Sequence, residues 1–201
     1  MDPFHYFVGK IQTRLANIRV VITGAPGTGK TAIVKTLEAM GYPCHHEIIR
    51  EMTSSAREGT SQEISAPNPL LFVDDAMEFN RQLLLGREKQ FLRAAETAGP
   101  INFFDRGIPD VLAYMDFFDQ PYGKEFKRFA QDHRYDAVFF VPPWEDIYVR
   151  DNERLESFPE AEALHHSLVD TYTQFGYIPV EVPKDTVANR ISFILETLKK
   201  A

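Results

Sequence analysis

Eight consecutive residues carry the clearest chemistry in the chain. Gly24-Ala25-Pro26-Gly27-Thr28-Gly29-Lys30-Thr31 fits the pattern G-x-x-x-x-G-K-[ST] at every fixed position. Glycines in such a run let the backbone curl so that successive N–H groups converge on phosphate oxygens. Lys30 is expected to reach the β- and γ-phosphates of a nucleotide, and the Thr31 hydroxyl to sit on Mg²⁺. The context agrees. The β-branched run Ile18–Thr23 reads as a strand leading in, and Ala32–Met40 as a helix leading out, its N-terminal partial charge aimed at the same anion.

Further charged residues fall where predicted strands end. Ile101-Asn102-Phe103-Phe104-Asp105 is a mainly apolar run closing on an acid, which makes Asp105 a candidate metal-holding carboxylate. The alternative is an Asp that merely starts the turn before Gly107. Arg106 follows, with the fixed fork of donors and permanent charge that suit a phosphoryl group in transfer. His46-Glu47-Ile48-Ile49-Arg50-Glu51 lies at the end of another predicted strand. Strand ends on one edge of a parallel sheet converge on a ligand crevice, so Glu47 is a candidate to orient or deprotonate an acceptor hydroxyl. A solvated charged turn is the competing reading. His45 and His46 alternate faces on a strand, which argues against a shared metal site. Arg150 and Arg154 are spaced i, i+4 and would share a helical face able to close over phosphates, unless Glu153 and Glu156 simply pair with them.

The elements that must position these residues follow from hydrophobic patterning. Five strands are predicted: Ile18–Thr23, Tyr42–His46, Ile101–Asp105, Ala137–Val141 and Tyr177–Val182. Helices are predicted over Ala32–Met40, Ala76–Thr97, Ile108–Phe118, Pro159–Phe175 and Ala188–Lys199. Strands alternating with helices imply an α/β fold with a parallel sheet covered on both faces, a three-layer α/β/α sandwich. Phe4, Phe7, Val8, Ile11 and Leu15 form an apolar stripe at helical spacing, so residues 1–17 are expected to be an N-terminal helical extension and residues 18–201 the nucleotide-binding domain. That helix either packs on the domain or engages a partner. The Ser-, Pro-, Gly- and Glu-rich stretch Thr53–Leu70 reads as a surface loop or as a lid over substrate.

Composition narrows the function further. The 201 residues are 44% hydrophobic and 25% charged, enough for one domain with a full core. A formal net charge of −7 gives no electrostatic reason to expect nucleic acid as a partner. The single cysteine, Cys44, excludes an internal disulfide and suits a reducing, cytoplasmic setting. No run approaches the roughly 18 unbroken apolar residues of a membrane span, and Asp2 with no apolar segment behind it does not read as a signal peptide.

Taken together, Gly24–Thr31, Glu47 with Arg50, Phe103-Phe104-Asp105-Arg106-Gly107-Ile108-Pro109-Asp110, Asp151 with Arg154, and Tyr172 through Phe175-Gly176-Tyr177 to Val182-Pro183 resemble a family of AAA-labelled P-loop ATPases over roughly residues 18–198. That family is similar in fold to ribosylnicotinamide kinases and to nucleoside and nucleotide kinases. The resemblance implies a P-loop NTPase fold with sheet order 2-3-1-4-5, and bound ATP and Mg²⁺. Motor-type AAA+ ATPases differ by a Glu after the strand-end Asp, where this chain has Arg106. Ras-like GTPases differ by an N-K-x-D motif absent here. Ribosylnicotinamide kinases tend to carry Asp-Thr where this chain has Asp105-Arg106, a departure that counts against nicotinamide riboside as the acceptor. Some members of that family bind GTP and lipids, so the resemblance leaves the identity of the purine open.

The expected function is therefore a Mg²⁺-dependent kinase passing the γ-phosphoryl group of ATP to a small-molecule hydroxyl or phosphate. Lys30 and the loop amides bind phosphate, Thr31 and Asp105 hold the metal, Glu47 handles the acceptor, and Arg106, Arg150 and Arg154 offset charge. Pro183–Thr186 is expected to touch the purine. The rival reading is a nucleotide-dependent switch or slow NTPase that binds a protein or lipid partner.

Overall fold

A computed structural model describes residues 17–49, 75–97, 99–148 and 157–200. The chain begins with strand β1 (Ile18–Thr23), then helix α1 (Lys30–Ala39), strand β2 (Cys44–His45) and helix α2 (Ala76–Arg93). Strand β3 (Ile101–Asp105), helices α3 (Ile108–Phe117) and α4 (Lys124–Asp132), and strand β4 (Ala137–Phe140) follow. Helix α5 (Phe158–Gln174), strand β5 (Val180–Glu181) and helix α6 (Val187–Lys200) complete the described elements. The five strands are all parallel in the order β2-β3-β1-β4-β5, as expected.

β1 is central because its sequence lets it be. Val20, Val21 and Ile22 are fully buried, as a strand covered on both faces requires. Alternate residues enter two separate cores. Val21, Phe104, Val138 and Phe140 pack with α2, α3, α4 and α5 on one face. Val20, Ile22, Phe103, Phe139 and Val141 pack with α1 and α6 on the other. Burying each such side chain stabilises the fold by about 1.5–3 kcal/mol.

Helix starts follow local chemistry. The Asp75 carboxylate accepts from the Glu78 amide at 3.0 Å to open α2. Ser157 and Glu160 form a reciprocal capping box at α5, with Pro159 in its first turn. Some elements depart from the expected bounds. β2 and β5 hold two residues each, shorter than the predicted Tyr42–His46 and Tyr177–Val182. Both are outermost strands, each pairing with one neighbour. The long second helix stops at Arg93 and tightens into a 3-10 turn over Ala94–Glu96. Helix α4 is absent from the sequence expectation. Only Phe126 and Ala130 are buried in it, and its N-cap is Gly123, so neither an apolar run nor a capping side chain announces it. The expected N-terminal helix and the Thr53–Leu70 segment lie outside the described residues.

Candidate nucleotide and acceptor site

β1 delivers the chain into the phosphate loop at its C-terminal end. A Cβ on Gly24 would lie 2.3 Å from the Val141 carbonyl oxygen, so the loop can leave the sheet beside β4 only with glycine there. Gly29, at φ 90°, sits in the left-handed region and caps α1 without any side-chain hydrogen bond. The first turn of α1 holds no acidic residue. The Lys30 ammonium folds back along the loop. It donates to the Ala25 carbonyl at 2.6 Å and to Thr28 Oγ1 at 3.3 Å. Thr28 Oγ1 in turn donates to the Ala25 carbonyl at 3.1 Å. Burial lowers the Lys30 pKa to about 7, helped by the nearby Arg106 charge and opposed by Asp105, Asp110 and Glu47. Thr31 follows as the second residue of α1.

Beside this loop lies a second cluster, built from four elements. β3 ends at Asp105, and Arg106 then takes φ 75°, a conformation uncommon for a side-chain-bearing residue. Its backbone N–H donates to the Ile22 carbonyl at 3.1 Å, so the turn is pinned to β1. The turn aims the guanidinium at two carboxylates, with Arg106 Nε 2.5 Å from Glu47 Oε2 and Nη1 3.2 Å from Asp110 Oδ1. Arg87, from the middle of α2, completes the ring. Its Nη2 lies 3.0 Å from Glu47 Oε1, its Nη1 lies 3.9 Å from Asp110 Oδ2, and Nη1 also donates to the Gly107 carbonyl.

Asp110 is the hub. It accepts from Thr23 Oγ1 at 2.5 Å, from the Tyr172 hydroxyl at 2.6 Å and from the Gly107 N–H at 2.8 Å. Burial alone would raise its pKa, yet Arg87, Arg106 and these hydrogen bonds hold it below the ordinary carboxylate value. Asp105 differs. Burial raises its pKa, with Lys30 and Arg106 opposing. Arg87 and Arg106 both keep their charge: Glu47 and Asp110 outweigh desolvation at Arg87, and Tyr114, Glu47 and Asp110 outweigh it at Arg106.

The fold thus brings Lys30, Glu47, Asp105 and Arg106 within electrostatic reach of one another. Arg50, Arg150 and Arg154 lie outside the described residues. Pro183–Thr186 links β5 to α6, and Asp185 accepts from the Thr186 N–H at 2.6 Å and from Asn189 Nδ2 at 3.0 Å. His45 and His46 diverge. His45 stacks on Phe104 and lies 3.3 Å from Asn102, whereas His46 pairs with Glu38 at 3.0 Å.

Arg87 and Thr23 had no expected role in the site, and Asp110 and Tyr172 stood only inside the motifs that carry the family resemblance, without a role of their own. Arg87 did leave a signal, because it interrupts the apolar stripe Leu83, Leu84 and Phe91 at helical spacing and so had to be buried with a partner. Asp110 and Tyr172 meet across 62 residues, a contact that local pattern does not disclose.

The donor set fits a nucleotide polyphosphate: a buried ammonium without an ion pair among the described residues, next to a helix start with no capping side chain. Among the described residues no three His, Cys, Asp or Glu side chains gather to hold a metal alone. A cation at Thr31 and Asp105 would need the nucleotide's own oxygens to complete its shell. No described helix is long and apolar enough to cross a membrane.

Comparison with known proteins agrees with this architecture. The NadR protein solved in complex with NR superposes with a TM-score of 0.69 at 18% identity, covering 99% of this chain and 56% of NadR. NadR with NAD and AMP-PNP gives 0.65 at 19% identity, covering 97% and 54%. The chain therefore spans about half the length of NadR. Thymidylate kinase from Ehrlichia chaffeensis gives 0.55 at 11% identity, covering 90% and 98%. At these identities the likeness is one of fold. No curated protein matches in sequence. A family model described as an AAA domain matches residues 19–190, a span holding the phosphate loop, both guanidiniums and the acidic hub, and the chain belongs to that family.

Proposed function

We propose that this protein is a Mg²⁺-dependent kinase that transfers the γ-phosphoryl group of ATP to a hydroxyl of a small-molecule acceptor. The observation that carries the reading is the ring of Glu47, Arg87, Asp110 and Arg106 built beside Lys30. A nucleotide-binding domain that only hydrolysed or switched has no need of a second polar cluster held this rigidly. The acceptor oxygen attacks the γ-phosphorus, the bond to the β,γ-bridging oxygen breaks, ADP leaves with that electron pair, and the hydroxyl proton passes to solvent. Lys30 and the loop amides hold the phosphates. Thr31 and Asp105 would hold Mg²⁺, which supplies charge neutralisation to the β- and γ-oxygens.

Glu47 faces the acceptor as a positioned carboxylate. Two guanidiniums engage its oxygens, which suits orienting a hydroxyl better than removing its proton. Arg106 lies between Glu47 and Asp110, close enough to Lys30 to influence it, and offsets charge on the group in transfer. Arg150 and Arg154 would add to this from outside the described residues. The compensation within the ring favours an uncharged acceptor. Arg87 and Arg106 are matched by Glu47 and Asp110, so the ring has no net positive charge with which to bind a second phosphate.

ATP consumption in Mg²⁺ buffer, with and without a panel of nucleosides, nucleotides, NR and small metabolites, tests this. Strong stimulation by one hydroxyl compound, with its phosphorylated product seen by mass spectrometry, is the expected result. Stimulation only by phosphorylated compounds would overturn the acceptor assignment. Tight ATP or GTP binding with no stimulation would replace the kinase by the nucleotide-switch reading.

A further inference from the structure

One buried cation lies outside the cluster just described. Arg190, in the first turn of α6, is 2% exposed, and it is among the largest fully buried side chains of the protein. Its Nη1 donates to the Thr28 carbonyl at 2.9 Å, across 162 residues of sequence. Its guanidinium carbon lies 5.2 Å from the Trp144 ring centroid, in cation–π geometry. Its Nε and Nη2 are buried and have no hydrogen-bond partner among the described residues. Among the described residues the acid that acts on it electrostatically is Asp185, in the link that leads into α6, whose Oδ1 already accepts from the Thr186 N–H and from Asn189 Nδ2.

This arrangement is unusual on general grounds. Buried guanidiniums normally meet carboxylates, as Arg87 and Arg106 do. Arg190 instead meets a peptide carbonyl of the phosphate loop and an aromatic face. The carbonyl is a telling choice. Thr28 C=O belongs to the peptide whose N–H is that of Gly29, the residue at φ 90° that opens α1. A donor fixed on that oxygen sets the plane of the peptide and hence the direction of the Gly29 N–H. Lys30 holds the loop from another side, through the Ala25 carbonyl. Arg190 also stands close to Gly29 itself: a Cβ there would come within 3.2 Å of Nη1. Trp144 in turn precedes the 3-10 turn Glu145–Ile147 and is tied to Asp146 through its indole N–H at 2.9 Å.

We propose that Arg190 is a positioning residue for nucleotide phosphate, acting through the Thr28 carbonyl and steadied by Trp144, so that α6 sets the shape of the phosphate loop. This rests on the phosphate-loop reading above. It assigns Arg190 no contact with the nucleobase and none with the acceptor.

The test is equilibrium binding of two probes, Mg·ATP and Mg·tripolyphosphate, to the full chain by calorimetry, below the unfolding midpoint of each variant. Arg190→Met removes the hydrogen bond and the charge and is expected to weaken both probes roughly ten- to hundredfold. Arg190→Lys keeps the charge but loses the planar fork, and its affinity for both should fall between the two. Trp144 is the only tryptophan, so its emission gives a second binding readout. Wild-type affinity in folded Arg190→Met would reduce Arg190 to a packing role and overturn the proposal. Weaker ATP with unchanged tripolyphosphate would move its action to the nucleobase and overturn it equally. Should Arg190→Met fail to fold, wild-type affinity in Arg190→Lys for both probes would still sink it. Failure of the underlying reading has a different signature, since Lys30→Ala would then bind both probes as tightly as wild type.

Discussion

The two ends of the candidate site handle charge in opposite ways. At the phosphate loop, Lys30 is buried with only a carbonyl and a hydroxyl for company, and burial brings its pKa to about 7. At the other end, Arg87 and Arg106 are equally enclosed but share Glu47 and Asp110, and both stay fully charged. One end leaves its cation without a carboxylate ion pair among the described residues, available in the proposed reading to an incoming anion. The other has already satisfied its cations internally and uses them as scaffolding. The same residue classes thus serve recognition in one place and rigidity in the other, and the difference lies in whether a carboxylate was built alongside.

The largest expected effect breaks the rigid end. Arg87→Met leaves Glu47 and Asp110 with one guanidinium between them, and removing one partner of a buried ion pair costs about 3–5 kcal/mol. Denaturant unfolding should show that loss. A change under about 1 kcal/mol would mean the ring is not the scaffold described here. The converse holds at the loop. Lys30→Ala should weaken Mg·ATP roughly ten- to hundredfold in calorimetry while leaving the unfolding midpoint unchanged or higher, because a desolvated cation has been removed. Unchanged ATP affinity would remove the phosphate assignment, and a large stability loss would make Lys30 structural after all.

A smaller effect comes from Tyr172→Phe, which takes one of four hydrogen bonds from the buried Asp110 and should cost about 1–3 kcal/mol without altering ATP affinity. If ATP binding weakened in parallel, the two ends would be coupled rather than separate. The smallest is a protonation change. Lys30 has a folded pKa below its unfolded value of 10.5, so above about pH 7 the empty protein holds fewer protons there than the unfolded chain. Its contribution to stability therefore improves as pH rises through that window and is least favourable below it. Bound phosphates favour the ammonium and reverse the shift. ATP binding near pH 8 should take up a fraction of a proton, seen as buffer-dependent binding enthalpy, and Lys30→Met should abolish it. Equal enthalpies in all buffers with the wild type would show that Lys30 is already charged when empty.

How much of this was legible in the sequence follows the same division. The phosphate loop was readable because its parts are contiguous, and strand, glycines and helix come in one short run. The sheet order came from resemblance, and the central strands came from uninterrupted apolar runs. The outer strands were drawn too long because edge pairing depends on a neighbour that local patterning does not reveal. The ring around Asp110 was only half visible. Glu47 and Arg106 stood out at strand ends, but Arg87 lies 40 residues from Glu47, and Asp110 stood only as the last residue of a family motif, with nothing local to show its partners. Arg190, packed against a loop 162 residues away, carried no local mark at all.

Glu47 follows the most weakly anchored strand of its side of the sheet. β2 registers with β3 through two residues, Cys44 with Phe103 and His45 with Phe104, whereas β3 registers with β1 through five. A short outermost strand frays at far lower free-energy cost than a central one. Its amides should therefore exchange with solvent hydrogen well before those of β1 or β3. Fraying that reached Glu47 would have to part it from both guanidiniums, so the ion pairs act as a clasp on a margin that two residues of strand pairing hold only weakly.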